Sequence, residues 1–169
     1  MTSADLLADA LGRISTVVHE VAAGLSAEQL AFRPDAGANS IGWLLWHLTR
    51  VEDDHIADVA GTEQAWTARG WSARFALPFA DAETGWSQDS AAVGQVRVAS
   101  PDLLTGYHDD VHAASVAFVA TVTDADLDRV VVERWDPPVT LGVRLVSVLT
   151  DGLQHAGQAA YLRGLALRR

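Results

Sequence analysis

Asp151 and His155 stand four residues apart in the stretch Thr150-Asp-Gly-Leu-Gln-His-Ala-Gly-Gln158, inside a long apolar-periodic segment near the C-terminus. In an α-helix that spacing separates two side chains by about 40° around the axis and one turn along it, so both stand on one face. A carboxylate and an imidazole so placed make a two-toothed clamp for a divalent metal. Val148 before the pair and Leu162 after it continue the stripe as apolar residues, with Gln158 between. Charge in a core-facing stripe is expensive unless it is paired or coordinates a metal, and a metal is the expected occupant.

A third tooth has two candidates on another apolar-periodic segment, His47 and His55. Eight residues place them about 80° and about 12 Å apart on a helix, too far to share one ion. His47 lies mid-helix among Leu44, Leu48 and Val51, next to Trp43 and Trp46; His55 lies near an end with Glu52, Asp53 and Asp54, where a surface ion pair accounts for it. His47 is the expected ligand. His108 and His112 are also an i, i+4 pair and by spacing equal Asp151/His155 as a clamp; spacing does not choose between them. Asp109 and Asp110 beside them point to a wetter edge and solvated or ion-paired histidines. His19, beside Glu20 near a helix end, reads as a capping residue.

The elements that must position these residues follow from periodicity and caps. Thr2 to about Leu25 carries Leu7, Leu11, Ile14, Val18 and Val21 on one face, with Thr2 and Asp5 as a capping box. Ser26 to Leu30 is a capped turn, and Arg33-Pro34-Asp35-Ala-Gly37 breaks the chain. Asn39 or Ser40 caps a second helix, Ile41 to Ala60, closed by Gly61. From Thr62 to Ala99 periodicity is lost, while Trp66, Trp71, Phe75, Phe79 and Trp86 argue that the stretch packs down, as a lid over a ligand site or as a seal on the bundle's side. Ser100-Pro101-Asp102 starts a third helix running to about Val122. Thr123 to Asp126 is a capped turn, Val130 to Pro138 an extended piece stopped by two prolines, and Thr140 to about Leu167 the last helix, with Arg163, Arg168 and Arg169 near its end. The fold class expected is all-α: a four-helix bundle with a long irregular connection between helices two and three, the architecture that sets metal ligands on facing helices.

With 169 residues the chain is sized for one domain, residues 1–169. A formal charge of −10 argues against grip on nucleic acid or an anionic membrane, since both need clustered Lys and Arg. No run reaches the apolar length of a membrane span, and the N-terminus lacks a basic leader, so a cytoplasmic protein is expected. There is no cysteine, which excludes disulfides, thiolate ligands and a cysteine nucleophile. Any thiol chemistry must use a thiol from elsewhere, and a metal on nitrogen and oxygen ligands with an open position can take one up.

Asn39-Ser-Ile-Gly-Trp-Leu-Leu-Trp-His-Leu-Thr-Arg-Val-Glu-Asp-Asp-His55, together with Asp151-Gly-Leu-Gln-His-Ala-Gly-Gln-Ala-Ala-Tyr-Leu-Arg163, resembles the DinB-like superfamily. Within it the sequence is similar to the mycothiol-dependent branch, which includes mycothiol S-transferases and the N-terminal domain of mycothiol-dependent maleylpyruvate isomerase. The likeness runs over the whole chain. It implies an up-down-down-up four-helix bundle holding a divalent metal, commonly zinc or nickel, through three side chains. Those positions are His47, His155 and Asp151, the last where many members carry histidine and the isomerase branch an acid; a carboxylate is a competent ligand there. The implied activity is S-transfer: the metal favours the thiolate of mycothiol, which attacks an electrophilic small molecule in detoxification. The isomerase's additional C-terminal domain has no counterpart in these residues, so transfer rather than isomerisation is expected.

From their places along the stripes, Trp43, Tyr107 and Gln158 are the candidates to line the substrate pocket. Two histidines and a carboxylate also describe non-haem iron sites, which makes iron a further candidate metal. The alternative of a different class is a non-catalytic, metal-stabilised bundle working as a homodimer.

Overall fold

Each long helix begins where a side chain satisfies the free N–H groups of its first turn. In the computed structural model, which describes residues 1–168 and so leaves Arg169 outside, Thr2 and Asp5 form a reciprocal capping box at the start of α1 (Ser3–Ala22). A single capped turn, α2 (Ala27–Leu30), follows. Ser40, the second of the two expected caps, accepts from Trp43 N at 3.1 Å and opens α3 (Ile41–Ala60), which Gly61 closes at φ 68°. The connection to the next long helix holds three short ones, α4 (Ala65–Ala68), α5 (Trp71–Phe75) and α6 (Ser90–Gln95). Ser100 and Pro101 start α7 (Pro101–Val119). A 3-10 turn, Asp124–Asp128, and the two short antiparallel strands β1 (Val130–Val132) and β2 (Val139–Thr140) lead into α8 (Leu141–Ala166), capped by Thr140.

The four long helices α1, α3, α7 and α8 form a ring in which α1 and α3 each pack against both α7 and α8. One apolar cluster gathers Leu7, Ala8 and Leu11 from the first half of α1, Ile56 near the end of α3, Val119 at the end of α7, and Leu141 and Leu145 at the start of α8. So α1 and α8 run one way while α3 and α7 run the other. Two consecutive helices in the same direction require a connection that returns the length of α3, about 30 Å for 20 residues. That requirement is the reason for the long irregular segment.

The connection is folded down more firmly than its lost periodicity suggests. Arg50 of α3, fully buried, donates through Nε to Glu83 O (3.2 Å), through Nη2 to Asp81 O (3.1 Å) and through Nη1 to Gln64 Oε1 (2.8 Å), beneath the Trp66 ring. Asp53 accepts from the backbone N–H of Ala65 (2.9 Å) and Trp66 (2.8 Å), capping α4. Trp66, Trp71 and Phe75 are buried through these short helices, whereas Trp86 stays 80% exposed. As a result α3 is covered nearly all round, not along one stripe as its periodicity suggests. Two ends differ from expectation: α1 stops at Ala22, with Gly24 left-handed at φ 70°, and α7 stops at Val119. Among the described residues no helix is long and apolar enough to cross a membrane.

Candidate metal centre

Helices α3 and α8 are neighbours in the ring, and their facing sides bring His47 to Asp151 and His155. One ligand atom from each of the three lies within 4.8 Å of the others, and this is the only such His/Cys/Asp/Glu group among the described residues. Gly152, between Asp151 and His155, turns to the other neighbour of α8, where a Cβ would stand 3.0 Å from Ile14 Cδ1 of α1. The bundle leaves His47 4% exposed, while the Asp151 and His155 side chains keep 27% and 19%, so the group opens to solvent on the α8 side.

Each imidazole is held by its Nδ1. His47 Nδ1 donates to the carbonyl oxygen of Thr84 at 2.5 Å; a carbonyl can only accept, so the proton sits on Nδ1 and Nε2 offers a lone pair. The backbone reaches that close because the next residue is Gly85, at φ 94°, where a Cβ would lie 2.8 Å from His47 Nδ1. Trp43, one turn earlier on α3, stacks on the His47 ring at 4.5 Å and 19° and is tied by its Nε1 to Gln88 Oε1 at 2.9 Å. On α8, His155 Nδ1 pairs with Gln158 Oε1 at 2.8 Å, leaving Nε2 3.5 Å from Asp151 Oδ1. Asp151 Oδ2 is buried and meets no hydrogen-bond donor. Burial holds the His47 imidazole below the ordinary histidine range, against the Thr84 carbonyl and Asp151 carboxylate, which raise it; the ring is neutral at pH 7.

This donor set fits a divalent cation. Two imidazoles each anchored through Nδ1, with Nε2 turned toward the others, and a carboxylate with an orphaned oxygen are the arrangement in which these side chains ligate. Three protein ligands on a partly open face leave room for a further ligand, the pattern of catalytic more than structural sites.

The other residues singled out by sequence fall in different places. Trp43 packs against both histidines, its ring 6.0 Å from that of His155. Gln158 lies on the exposed face, where with Tyr161, Asn39 and Leu44 it lines a groove of about 330 Å³ beside the centre. Tyr107 is corrected: it does not face the groove beside the centre but is fully buried among Trp66, Trp71 and Phe75, its hydroxyl donating to Asp53 at 2.7 Å. The stripe of α7 at that height is covered by α4 and α5. His55 pairs with Arg144 and Asp54, away from the three. His108 is also corrected: it is not at a wet edge but fully buried, its Nδ1 3.2 Å from Thr49 Oγ1, with His112 stacked on it. Thr84, Gly85 and Gln88, which hold the centre from the connection, carry no sequence periodicity; the one available signal is a glycine among tryptophans. A larger groove, about 540 Å³, runs between α3, α4 and α7; neither groove is lined by any of the three donors, and the smaller one reaches them through Gln158, which holds His155.

Comparison with known proteins bears on the family and the fold. The family model described as mycothiol-S-transferase matches residues 6–166. Among solved structures, "Crystal structure of the conserved protein of locus from Enterococcus faecalis" superposes with a TM-score of 0.93 at 29% sequence identity, covering 100% of this chain and 99% of that one. No curated protein matches. The fold is that of the DinB-like bundle, predominantly helical.

Proposed function

The chain belongs to the mycothiol-S-transferase family, and from that premise we propose that it transfers the thiol of mycothiol to an electrophilic small molecule, as a detoxifying enzyme of the cytoplasm acting as one domain. The observation that carries this reading is the meeting of His47, Asp151 and His155 within 4.8 Å on an open face. A divalent cation held there, zinc first and nickel or iron as alternatives, would supply the charge that favours thiolate over thiol near neutral pH, against a free thiol pKa of about 8.5.

The chain's own residues do the rest. Thr84 and Gln158 fix the two ring orientations, so the Nε2 lone pairs converge without reorganisation. Trp43 covers one face of His47 and keeps water from it. The groove bounded by Gln158, Tyr161 and Asn39 gives the two small molecules an approach from the α8 side. In the reaction the thiol loses its proton to solvent, a carbon–sulfur bond forms, and the electrophile's leaving group departs with its bonding pair. The chain has no cysteine, so the nucleophile is the co-substrate's own sulfur.

The test is metal-dependent conjugation of mycothiol to a fluorogenic electrophile, with glutathione and bacillithiol alongside and a chelated control. Reaction with mycothiol alone, stopped by chelation, is the expected result, and His155→Ala should lose metal and conjugation together. Full activity in metal-free His155→Ala overturns the reading. Metal retention with no reaction for any thiol favours a non-catalytic, metal-stabilised bundle.

A further inference from the structure

Trp86 stands in solvent on the connection, while Trp43, Trp46, Trp66 and Trp71 are all buried. A single exposed aromatic is ordinary on a protein surface, and Trp135, in the loop between β1 and β2, is also exposed. What sets Trp86 apart is how its backbone is held. Residues 85–88 form a tight turn, closed by the Gln88 N–H donating to the Gly85 carbonyl at 3.2 Å. Both neighbours of Trp86 are left-handed, Gly85 at φ 94° and Ser87 at φ 58°. Positive φ at the third position of such a turn calls for glycine, so serine there is strained. The turn is also pinned on each side: Thr84 O accepts from His47 Nδ1, and Gln88 Oε1 accepts from Trp43 Nε1. A strained, pinned turn that presents an indole to water stabilises nothing within the fold through that ring. Strain of this kind collects at ligand clamps.

The turn lies beside the metal centre. A Cβ on Gly85 would touch His47 Nδ1 at 2.8 Å, and adjacent Cα atoms are about 3.8 Å apart, so the Trp86 Cα is within about 8 Å of that nitrogen. Beyond the turn the segment reaches Ser90, whose carbonyl accepts from Arg33 Nη1 at 3.1 Å, while Arg33 Nε donates to Ala38 O. Ala38 belongs with Asn39, Gln158 and Tyr161 to the groove of about 330 Å³. The segment that carries Trp86 thus borders the centre at one end and the groove wall at the other. Asn39, Gln158, Tyr161 and Trp86 offer two amides, a hydroxyl and two aromatic faces, and no charge. In a chain of net charge −10 an anionic ligand finds no counter-charge in this set. A sugar ring suits it: the hydroxyl edge pairs with amides, and the C–H face lies on an aromatic ring.

We infer that Trp86 is the platform on which the sugar of the thiol co-substrate stacks while the sulfur lies at the metal centre, an inference that rests on the thiol-transfer reading. Mycothiol carries its thiol on a sugar framework, so one molecule spans both contacts. The electrophile must reach the sulfur itself and therefore lies nearer the three donors. Trp86 is a binding residue: it holds the constant part of the substrate pair and touches no reacting atom.

Fluorescence tests this without relying on turnover. In Trp135→Phe the exposed indole that remains is Trp86, so acrylamide quenching reports on that ring. Mycothiol and its S-methyl derivative should both shield it from acrylamide; cysteine, a thiol without a sugar, should not. In kinetics, Trp86→Ser should raise the KM for mycothiol about five- to tenfold, the worth of an aromatic stack, with kcat and the KM for the electrophile nearly unchanged. Trp86→Phe should recover most of the loss, and Trp135→Ser should change nothing. Shielding by mycothiol in a chain that transfers no thiol would keep the platform and remove the transferase reading. An active chain with Trp86 unshielded and the mycothiol KM unmoved in Trp86→Ser overturns the platform alone, and neither shielding nor activity overturns both. Equal shielding by cysteine, or shielding that grows with protein concentration in the absence of mycothiol, also overturns it.

Discussion

At the scale of single residues, the candidate centre depends on a glycine as much as on its donors. Gly85 lets the Thr84 carbonyl reach His47 Nδ1, and alanine there would press a methyl group to 2.8 Å from that nitrogen and 3.0 Å from the Trp46 ring. Gly85→Ala should therefore weaken metal binding about 10- to 100-fold, measured by competition against a chromogenic chelator. Gly70→Ala is the matched control: Gly70 also has positive φ, 71°, but open space around it, so it carries the backbone strain without the clash. Equal loss in both variants would assign the effect to strain alone. A second residue-scale device lies deeper in the bundle. Burial pushes the Glu52 carboxyl up to about 7, against a smaller lowering by Ser115, and burial pushes the His108 imidazole down to about 3, helped by His112. The signs oppose. The raised Glu52 contributes stability that is complete below its ordinary value of 4.5 and lost as pH rises through about 7; the depressed His108 contributes stability present above 6.5 and lost as pH falls toward 3. Between pH 4.5 and 6.5 the Glu52 and His108 contributions to native stability thus offset one another. Between pH 4.5 and pH 8 Glu52→Gln should gain up to about 3 kcal/mol relative to the native chain, with little difference at pH 4.5 itself. Urea titrations at the two pH values check this, and equal effects at both would reject it.

At the scale of elements, the connection between α3 and α7 does more than bridge two helices. It returns the chain along α3, wraps that helix, and delivers Thr84, Gly85 and Gln88 to His47 and Trp43. Its anchor is the Arg50–Asp53 pair, in which Asp53 caps α4 and receives the Tyr107 hydroxyl from α7. Removing the carboxylate strands a guanidinium with no solvent exposure. Asp53→Ala should cost about 3 to 5 kcal/mol, the range for breaking a buried pair, and should open the segment from 62 to 99 to limited proteolysis before the four long helices. Cleavage appearing uniformly along the chain would show that the connection is no separate unit. The helix caps are more ordinary: Thr2, Ser40, Ser100 and Thr140 each accept a backbone N–H, and all four positions are visible to a reader of the chain.

At the scale of the whole molecule, the donors lie on two helices far apart in sequence, so a bound cation would staple α3 to α8. A cation that binds only the folded chain should stabilise it by about 2.7 kcal/mol at a free concentration one hundredfold above its Kd. Calorimetry should show a Tm that rises with added zinc and falls back on chelation, with His155→Ala indifferent to both; a Tm insensitive to metal would oppose a site shared between the two helices. Much of this architecture was legible beforehand. Caps, proline and apolar periodicity are local properties, set by the first-turn N–H groups and by which face must leave water, and they marked all four long helices and the Asp151/His155 pair on one face of α8. The resemblance in Asn39–His55 and Asp151–Arg163 supplied the family. What periodicity alone left open, whether His108/His112 or Asp151/His155 is joined by a third donor, was decided by helix adjacency, since i, i+4 spacing is the same for both pairs while the bundle buries one against Thr49 and opens the other toward His47. Tyr107 could not be placed from its stripe because what covers a stripe is a contact between segments distant in sequence. For the same reason the backbone carbonyl of Thr84 could not be found at all: any residue supplies a carbonyl, and only the folded path of the connection determines which one reaches the histidine.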